Sequence, residues 1–322
     1  MRSNDNKERI EGYVYGLDDG NGRDALSKRQ SGANSKKPGT EYIAGTMLIA
    51  ADEEGMNIIP VHFTYVTKTY SSGKENRTYG VLEQILNSGK TWTSVGKENA
   101  TKVRIDASLA LNEFYAQDGT LVAAKRNEGS FVTVVNGQMS PENEHNRFTM
   151  DMIITGVTHV DADEEKNVTE HAVVRGCVFD FKNAILPVEF LIKNAQGMKY
   201  FENLDASSSN PVYTKVWGRI NCSAVTYEEK TESAFGEPVV STRTKRTREW
   251  EITGAAEEPF NFGEEGVLTV EELTKAMQDR EVHIADIKKR AEEYVASKTT
   301  PAATAAPITK AKTTMPKGDF KF

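Results

Sequence analysis

Residues 41–66 read EYIAGTMLIAADEEGMNIIPVHFTYV, and this stretch returns in altered form at 171–193 as HAVVRGCVFDFKNAILPVEFLIK. Gly45 matches Gly176, and the run IIPVHF, which begins at Ile58, matches ILPVEF, which begins at Ile185. A second block, VRIDAS at 103–108, parallels GRINCS at 218–223. Blocks that recur in the same order, at offsets that drift slowly, indicate a duplicated domain of ~110–130 residues.

Each copy of the repeat has the periodicity of β-strands. In 103–111 every second residue is apolar, which places Arg104, Asp106 and Ser108 on the opposite face. In 58–66 the same alternation turns His62 outward, as it does Glu189 in the copy. Between these blocks each copy has one short segment compatible with a helix, Thr78–Leu86 in the first and Met198–Ala206 in the second.

The order of these segments indicates a particular β-barrel. The predicted strands of the first unit are Ile10–Leu17, Tyr42–Ala51, Asn57–Val66, Lys102–Tyr115 and Leu121–Val135, the last two joined by a turn at Asp118-Gly119. Five strands with a helix between the third and fourth is the order of the OB-fold, a partly open Greek-key barrel. We therefore predict a mainly β protein with two tandem OB-fold-like five-stranded barrels, followed by an acidic amphipathic α-helix and a disordered C-terminal tail.

Composition changes along the chain suggest where these units begin and end. The polar stretch QMSPENEHNR is typical of a linker. Thr269 and Glu272 form a capping-box pattern before a helical stretch that reaches Ala296, and the last residues are rich in Thr, Ala, Pro and Lys. The predicted division is a first OB-like domain at 1–137 with a long basic loop at 18–40, a linker at 138–147, a second OB-like domain at 148–256, an acidic segment and helix at 257–297, and a disordered tail at 298–322.

Composition and motifs exclude several functional classes. The chain has 322 residues, 40 Lys and Arg against 47 Asp and Glu, a net charge of −7 and a mean hydropathy of −0.54. It lacks both the ~20 consecutive apolar residues of a membrane span and a signal peptide, so we expect a cytoplasmic protein that does not contact membranes. Cys177 and Cys222 each lie in an apolar run, which argues against a disulfide framework or a zinc site. Because no catalytic motif is present, we expect no enzymatic activity, no metal and no cofactor.

The candidate binding residues are cations and aromatics. Backbone phosphates need cations, and unstacked bases need flat apolar partners. An OB barrel presents the face of its second and third strands, together with its first–second and fourth–fifth loops, to a strand of nucleic acid. The candidates in these loops and on outward strand faces are Arg23, Lys28, Arg29, Lys36, Lys37, Lys68, Tyr70, Lys74, Arg77, Tyr79, Tyr13, Tyr15, Trp92, Arg104, Trp217, Arg219, Arg243, Lys245, Arg246 and Arg248. The alternative is that an aromatic covers an apolar patch and that the basic loops are ordinary solvated surface.

The distribution of charge removes an objection to a polyanionic ligand. Residues 251–300 contain 6 basic and 12 acidic groups, whereas 301–322 contain 4 and 1. Most of the net negative charge therefore lies after the second predicted barrel. A net charge of −7 does not exclude nucleic-acid binding when the loops that would contact phosphates are basic.

The strand order, the duplication and the Phe-terminated tail resemble the tandem OB-fold single-stranded-DNA-binding proteins of tailed bacteriophages. The resemblance covers about 10–256 and the tail that ends at Phe322. It implies sequence-independent binding and protection of single-stranded DNA, or of RNA, during replication, recombination or repair in the host cell cytoplasm. It also implies that Asp319, Phe320 and Phe322 contact replication or recombination proteins, although Lys317 and Lys321 depart from the acidic tip of the family.

Two other interpretations stay open at this point. A structural or assembly protein of a virion or secretion particle also uses duplicated β-barrels with tails. A catalytic module without a recognisable motif is the third. The sequence does not fix the oligomeric state, the site size or the role of the helix at 269–296.

Overall fold

The structure, a computed structural model, describes residues 4–116, 118–163, 168–231, 239–264 and 266–299. The side chains of residues 224–231, 239–246 and 297–299 lie outside that description. The strands are β1 (Asn6–Gly16), β2 (Ser27–Gln30), β3 (Glu41–Ala50), β4 (Ile58–Thr67), β5 (Lys102–Tyr115), β6 (Leu121–Val134), β7 (Asn146–Val160), β8 (His171–Phe179), β9 (Ile185–Ile192), β10 (Val212–Thr231) and β11 (Val239–Ala255). The helices are α1 (Arg77–Ser88), α2 (Trp92–Val95), α3 (Ala195–Glu202) and α4 (Val270–Thr299).

Two closed rings of five strands dominate the fold. In the first ring β1 pairs with both β3 and β5, β3 pairs with β4, β5 pairs with β6, and β4 pairs in parallel with β6. The second ring repeats this pattern with β7, β8, β9, β10 and β11, and β9 pairs in parallel with β11. In each ring a helix follows the third strand, α1 in the first and α3 in the second. The prediction of two tandem OB-like five-stranded barrels is confirmed.

The two barrels share one sheet. β1 of the first barrel pairs antiparallel with β7 of the second, from Asn6 opposite Met150 to Ile10 opposite Asn146. β7 therefore begins inside the stretch predicted as a linker. The buried ring of His145, just before β7, lies 2.8 Å from the Ala51 carbonyl through Nδ1. The predicted domain limits themselves stay a prediction.

The helices begin and end where their caps require. Asn76 accepts a hydrogen bond from the Thr78 amide at the start of α1, and Gly89 ends this helix with a left-handed φ of 58°. The helix predicted over 198–206 corresponds to α3, which begins three residues earlier and ends at Glu202. The Asn194 side chain accepts a hydrogen bond from the Gly197 amide and caps its start. Each helix seals one barrel, α1 with Leu82 and Ile85 among its buried residues.

Close backbone packing explains the recurring glycines, and a short strand corrects one prediction. Gly45 and Gly176 recur because a Cβ at either position would overlap a backbone carbonyl, that of Ala25 or that of Ile153. The loop predicted at 18–40 is not wholly a loop, because Ser27–Gln30 forms β2 and pairs with β3. β2 has only four residues, which is too short for a strand periodicity to be recognised in the sequence.

The helix α4 connects the two barrels. It was predicted from Thr269, and the predicted capping box is present, with the Glu272 amide donating to Thr269 Oγ1 at 3.1 Å. Near its start Leu273 packs on the cluster around Tyr213 of the second barrel. Further along, Arg280 forms a two-pronged ion pair with Glu113 of β5 in the first barrel, 2.6 Å between Nη1 and Oε2.

Among the described residues, no helix is long and apolar enough to cross a membrane.

Candidate nucleic-acid interface

An aromatic pair, one member of it exposed and the other half-buried, lies on the outward face of the second and third strands of the first barrel. The ring of Tyr42 on β3 and the ring of Tyr65 on β4 have centroids 4.4 Å apart and planes inclined by 39°. Tyr65 is 48% exposed. Neither residue was predicted as a site residue, although this is the face that OB-folds offer to oligonucleotides. The strands predicted over 42–51 and 57–66 could have shown it, because an antiparallel register brings their two ends together.

Three cations lie in the segments next to this pair. Arg29 on β2 lies directly opposite Tyr42 in the β2–β3 ladder. After β4 the chain continues through Lys68, Tyr70 and Lys74, all of them exposed, with Tyr70 at 44%. A tight turn forms this segment, in which the Tyr70 amide donates to the Lys74 carbonyl. Four of the predicted residues thus lie in the segments that border the tyrosine pair.

The basic loop at 18–40 is exposed, and part of its charge is already paired. Arg23, Lys36 and Lys37 are exposed. Lys28 lies 2.5 Å from Glu83 of α1, and this hydrogen bond raises the pKa of Lys28. Arg29 lies 3.6 Å from Asp24.

Asp24 is the residue that fixes this loop to the barrel. It accepts from Thr46 Oγ1 at 2.7 Å and lies 2.9 Å from His62 Nδ1. Its φ of 44° is left-handed, which Asp tolerates better than most residues. His62, which the alternation predicts to face outward, is half-buried and holds the loop against the outward face of β3 and β4.

Three of the predicted aromatics are packed instead of open. Tyr79 is 2% exposed, and burial together with its hydrogen bond to Glu41 raises its pKa. Tyr13 is 7% exposed beneath Trp92, whose ring meets it edge-on at a centroid distance of 5.6 Å. Tyr15 lies 6.0 Å from the same tryptophan. The burial of Tyr79 and Tyr13 contradicts a stacking role for them. Trp92 covers the apolar patch that includes Tyr13 and Tyr15.

Arg104 occupies a structural position, whereas Arg77 does not. Arg104 donates to Glu11 at 2.7 Å and to Ser140 Oγ at 3.2 Å. Burial alone would raise the pKa of Glu11, but the hydrogen bonds from Arg104 and Ser140 hold it below its ordinary value. Arg77, the first residue of α1, is exposed and stays a candidate for phosphate contact.

The second barrel supplies a cation at the boundary between the barrels. The exposed Arg248 lines a cleft of about 420 Å³ together with Tyr15, Leu48 and Pro60 of the first barrel. On the outer side of β10, Trp217 is 42% exposed and Arg219 is exposed, as predicted from alternation with the buried Ile220 and Cys222. The side chains of Arg243, Lys245 and Arg246 lie outside the described residues, as do Asp319, Phe320 and Phe322.

Comparison with known proteins places the chain in a family. The family model YorF matches residues 24–290, a span that includes the first barrel from β2 onward, all of the second barrel and most of α4. The chain belongs to the YorF family. None of the curated proteins matches this YorF sequence.

Solved structures give two further comparisons. Both are crystal structures of the single-stranded DNA binding protein from Thermus aquaticus, one a deletion mutant and one the wild type. The mutant is 11% identical, with a TM-score of 0.44, and the match covers 82% of the YorF chain and 100% of that chain. The wild type is 10% identical, with a TM-score of 0.43, and the match covers 82% of this chain and 98% of the Thermus aquaticus chain. The fold assignment rests on the strand pairing described above.

The equivalent face of the second YorF barrel has different chemistry. Val173 on β8 and Leu191 on β9 lie opposite each other where the first barrel has its tyrosine pair. Beside them Arg175 and Glu189 form an ion pair at 2.8 Å. The β7–β8 loop at 161–170 contains one basic and five acidic residues, whereas the loop at 18–40 contains five basic and three acidic residues.

Carboxylates also surround His159, at the rim of this second face. His159 lies 2.8 Å from Glu202, 3.2 Å from Glu170 and 3.5 Å from Asp161. The hydrogen bond to Glu202 and the neighbouring charges raise the pKa of His159. Within the described ranges, no group of three or more His, Cys, Asp or Glu residues is arranged to hold a metal ion.

Proposed function

We propose that this YorF-family protein binds single-stranded DNA without sequence preference and has no catalytic activity of its own. The observation that carries the proposal is the aromatic pair of the half-buried Tyr42 and the exposed Tyr65, which lies on the β3–β4 face with cations at its border. Flat aromatic surface takes bases of any sequence, and the cations take the phosphates. A ligand without bases would leave the aromatic rings unused, and a ligand without phosphates would leave the cations unused.

The arrangement suggests how a strand would lie. Bases stack on Tyr65 and Tyr42, and Tyr70 offers a third exposed ring nearby. The backbone then passes Arg29, Lys68 and the loop at 18–40. Towards the C-terminal end of β3 the surface reaches the cleft beside Arg248 of the second barrel, which extends the path across the boundary.

Three finer points belong to the same proposal. The protein protects single strands during DNA replication, recombination or repair in the cytoplasm of a phage-infected cell, as its resemblance to tandem OB-fold phage proteins implies. RNA offers the same phosphates and bases and is a second ligand of the same face. Asp319, Phe320 and Phe322 contact a replication or recombination protein, and the units 1–137 and 148–256 act as two domains.

A binding titration with matched variants tests this function. The full chain is titrated into a fluorescently labelled oligo-dT, and its anisotropy is followed for the wild type, Tyr65→Ala and the control Leu191→Ala. Loss of one stacking partner costs about 1–3 kcal/mol, so Tyr65→Ala is expected to weaken binding about 5- to 150-fold. Leu191 lies on the face without aromatics, so Leu191→Ala is expected to bind like the wild type.

The same titration can also contradict the proposed function. A wild-type protein that does not bind oligo-dT, and that co-sediments with virus particles instead, would support the assembly-protein interpretation. Binding that both variants retain equally would remove the tyrosine pair from the site.

A further inference from the structure

Three arginines form a row across the boundary between the barrels. In the β1–β7 ladder Arg9 is the partner of Arg147, and in the β7–β10 ladder Arg147 is the partner of Arg219. Direct partners in antiparallel ladders have Cα atoms about 5 Å apart and turn their side chains to the same face. The row therefore spans about 10 Å and includes one strand of the first barrel and two of the second.

The row is exposed and electrostatically unfavourable by itself. The side chains of Arg9 and Arg147 are 58% and 53% exposed, and Arg219 is exposed as well. Like charges placed directly opposite each other in a sheet are destabilising. The two arginine pairs, Arg9 with Arg147 and Arg147 with Arg219, therefore do not stabilise the unbound protein. A bound anion would explain why they lie together.

Each of the three arginines has one carboxylate nearby, and these contacts are weak or shared with other groups. Asp106 on β5 lies 3.3 Å from Arg9, and Glu144 lies 3.4 Å from Arg147. Glu251 on β11 is the ladder partner of Arg219, and its carboxylate accepts from Asn221 at 2.9 Å. Ion pairs as exposed as the first two contribute about 0–1 kcal/mol each, so an incoming anion can compete with them.

The neighbouring positions are consistent with a nucleic-acid strand. One row along the same ladders, Lys7 lies opposite Thr149, and Thr149 lies opposite Trp217. The indole of Trp217 packs over Gly254, where a side chain would overlap it, and the residue is still 42% exposed. An aromatic ring thus lies two residues along the same strand from the guanidinium of Arg219.

We propose that Arg9, Arg147 and Arg219 form a second phosphate-binding site, at which the backbone of a bound single strand crosses from one barrel to the other. Each guanidinium offers a fork of N–H donors that fits the oxygens of a phosphodiester. The identity of the polyanion rests on the proposed function, but the row is separate from the β3–β4 face. With the arginine row, the protein contacts more phosphates of a bound strand than it would through the β3–β4 face alone.

Two oligomers of equal length separate this site from the stacking site. One is oligo-dT, and the other is an abasic oligomer with the same number of phosphates. Each is titrated at several salt concentrations with the wild type, with the triple variant Arg9→Gln, Arg147→Gln, Arg219→Gln, and with the control Arg175→Gln. Arg175 is a suitable control because its side chain is 54% exposed and forms one ion pair, on the other face of the second barrel.

The expected result is a change in salt dependence. Each phosphate contact to a single strand contributes about −0.7 to the slope of log K against log salt, so the triple variant should have a slope shallower by about 2. The fold-loss at low salt should be equal for both oligomers, because both have the same phosphates. Inorganic phosphate, added at constant ionic strength, should not displace either oligomer, because a free anion contacts only one position in the row.

Four outcomes are distinguishable. A triple variant with the slope and affinity of Arg175→Gln overturns the arginine row while the proposed function stands. Displacement by inorganic phosphate at constant ionic strength would make the row a site for small anions and also overturn the proposal. A wild type that binds neither oligomer overturns the proposed function itself. If the triple variant does not fold, Arg147→Gln alone should shift the slope by about 0.7, and a smaller shift overturns the proposal.

Discussion

The indole nitrogen of Trp250, on β11 of the second barrel, donates a 2.9 Å hydrogen bond to Oε1 of Glu8, on β1 of the first. Trp250 is 1% exposed and Glu8 is 2% exposed, so a carboxyl group lies in the core between the barrels. The ammonium of Lys125, from β6, lies 4.8 Å from the centre of the same indole and donates to the Glu189 carbonyl. Strands of both barrels thus contribute to one buried polar contact.

This contact predicts a pH-dependent stability. Burial raises the pKa of Glu8 to about 8, from an ordinary value of 4.5. The folded state therefore retains a proton that the unfolded state has lost between these values, and the free energy of unfolding falls as the pH rises from about 4.5 to about 8. Each pKa unit corresponds to about 1.4 kcal/mol, so the effect amounts to several kcal/mol.

The substitution Glu8→Gln should remove that contribution. Gln keeps an oxygen for the Trp250 indole and has no charge, so the variant should exceed the wild type in stability at pH 9 and match it more closely at pH 5. Urea denaturation at the two pH values measures the difference. Glu98→Gln, on the exposed surface, is the control and should leave the pH profile unchanged. A Glu8→Gln variant with the wild-type profile would show that Glu8 is not buried as described.

The ion pair between Arg280 and Glu113 should stabilise the attachment of α4. Their side chains are only 15% and 5% exposed, so removal of one partner leaves a buried charge. We expect Arg280→Met to lower the free energy of unfolding by about 3 kcal/mol. Arg175→Met, which removes an ion pair between side chains 54% and 59% exposed, should cost about 1 kcal/mol or less. Equal costs for the two variants in urea denaturation would contradict a buried pair.

The two cysteines should resist modification in the native protein. Burial raises the pKa of Cys177 to about 12, and burial with nearby carboxylates raises that of Cys222 to about 12. Because the thiolate is the reactive form, a thiol reagent at pH 8 should label both only when the chain unfolds. An added exposed cysteine, Thr253→Cys, should react at once. Rapid labelling of two thiols in the native wild type is the opposite result.

Tryptophan fluorescence should report contact with DNA at one residue. Trp250 is buried and Trp92 is packed against Tyr13, whereas Trp217 is 42% exposed beside the arginine row. Trp217→Phe should therefore abolish most of the quenching that oligo-dT produces, and Trp92→Phe should abolish little of it. The reverse pattern would move the DNA contact to the patch around Tyr13.

Much of the fold could be predicted from the sequence because local periodicity determines it. Strand β5 was predicted over the residues that it occupies, and the Cys222 side of β10 was correctly predicted as buried. The burial of Tyr79 could also have been predicted from the sequence, because Tyr79, Leu82 and Ile85 recur at helical spacing on one face of α1. Tyr79 was predicted as a binding residue, but this helical face places its ring in the core.

The candidate site was harder to predict because it depends on pairs that are distant in the chain. The charge of Lys28 is paired with Glu83, 55 residues away, and that of Arg104 with Glu11, 93 residues away. Arg147 could not be associated with Arg9 and Arg219 without the register of β7 against both neighbours. Composition shows which charges exist, whereas strand register decides which of them remain together at the surface.

The salt dependence of wild-type binding to oligo-dT tests the central claim most directly. Binding should be tight at about 50 mM salt and weaken steeply by about 200 mM, with a log–log slope of several multiples of −0.7, because cations of the loop at 18–40, the Lys68–Lys74 segment and the arginine row release counterions together. Same-length duplex DNA should compete poorly, since its bases are not free to stack on Tyr65. Absence of binding at about 50 mM salt, or an affinity that salt does not change, would contradict the claim.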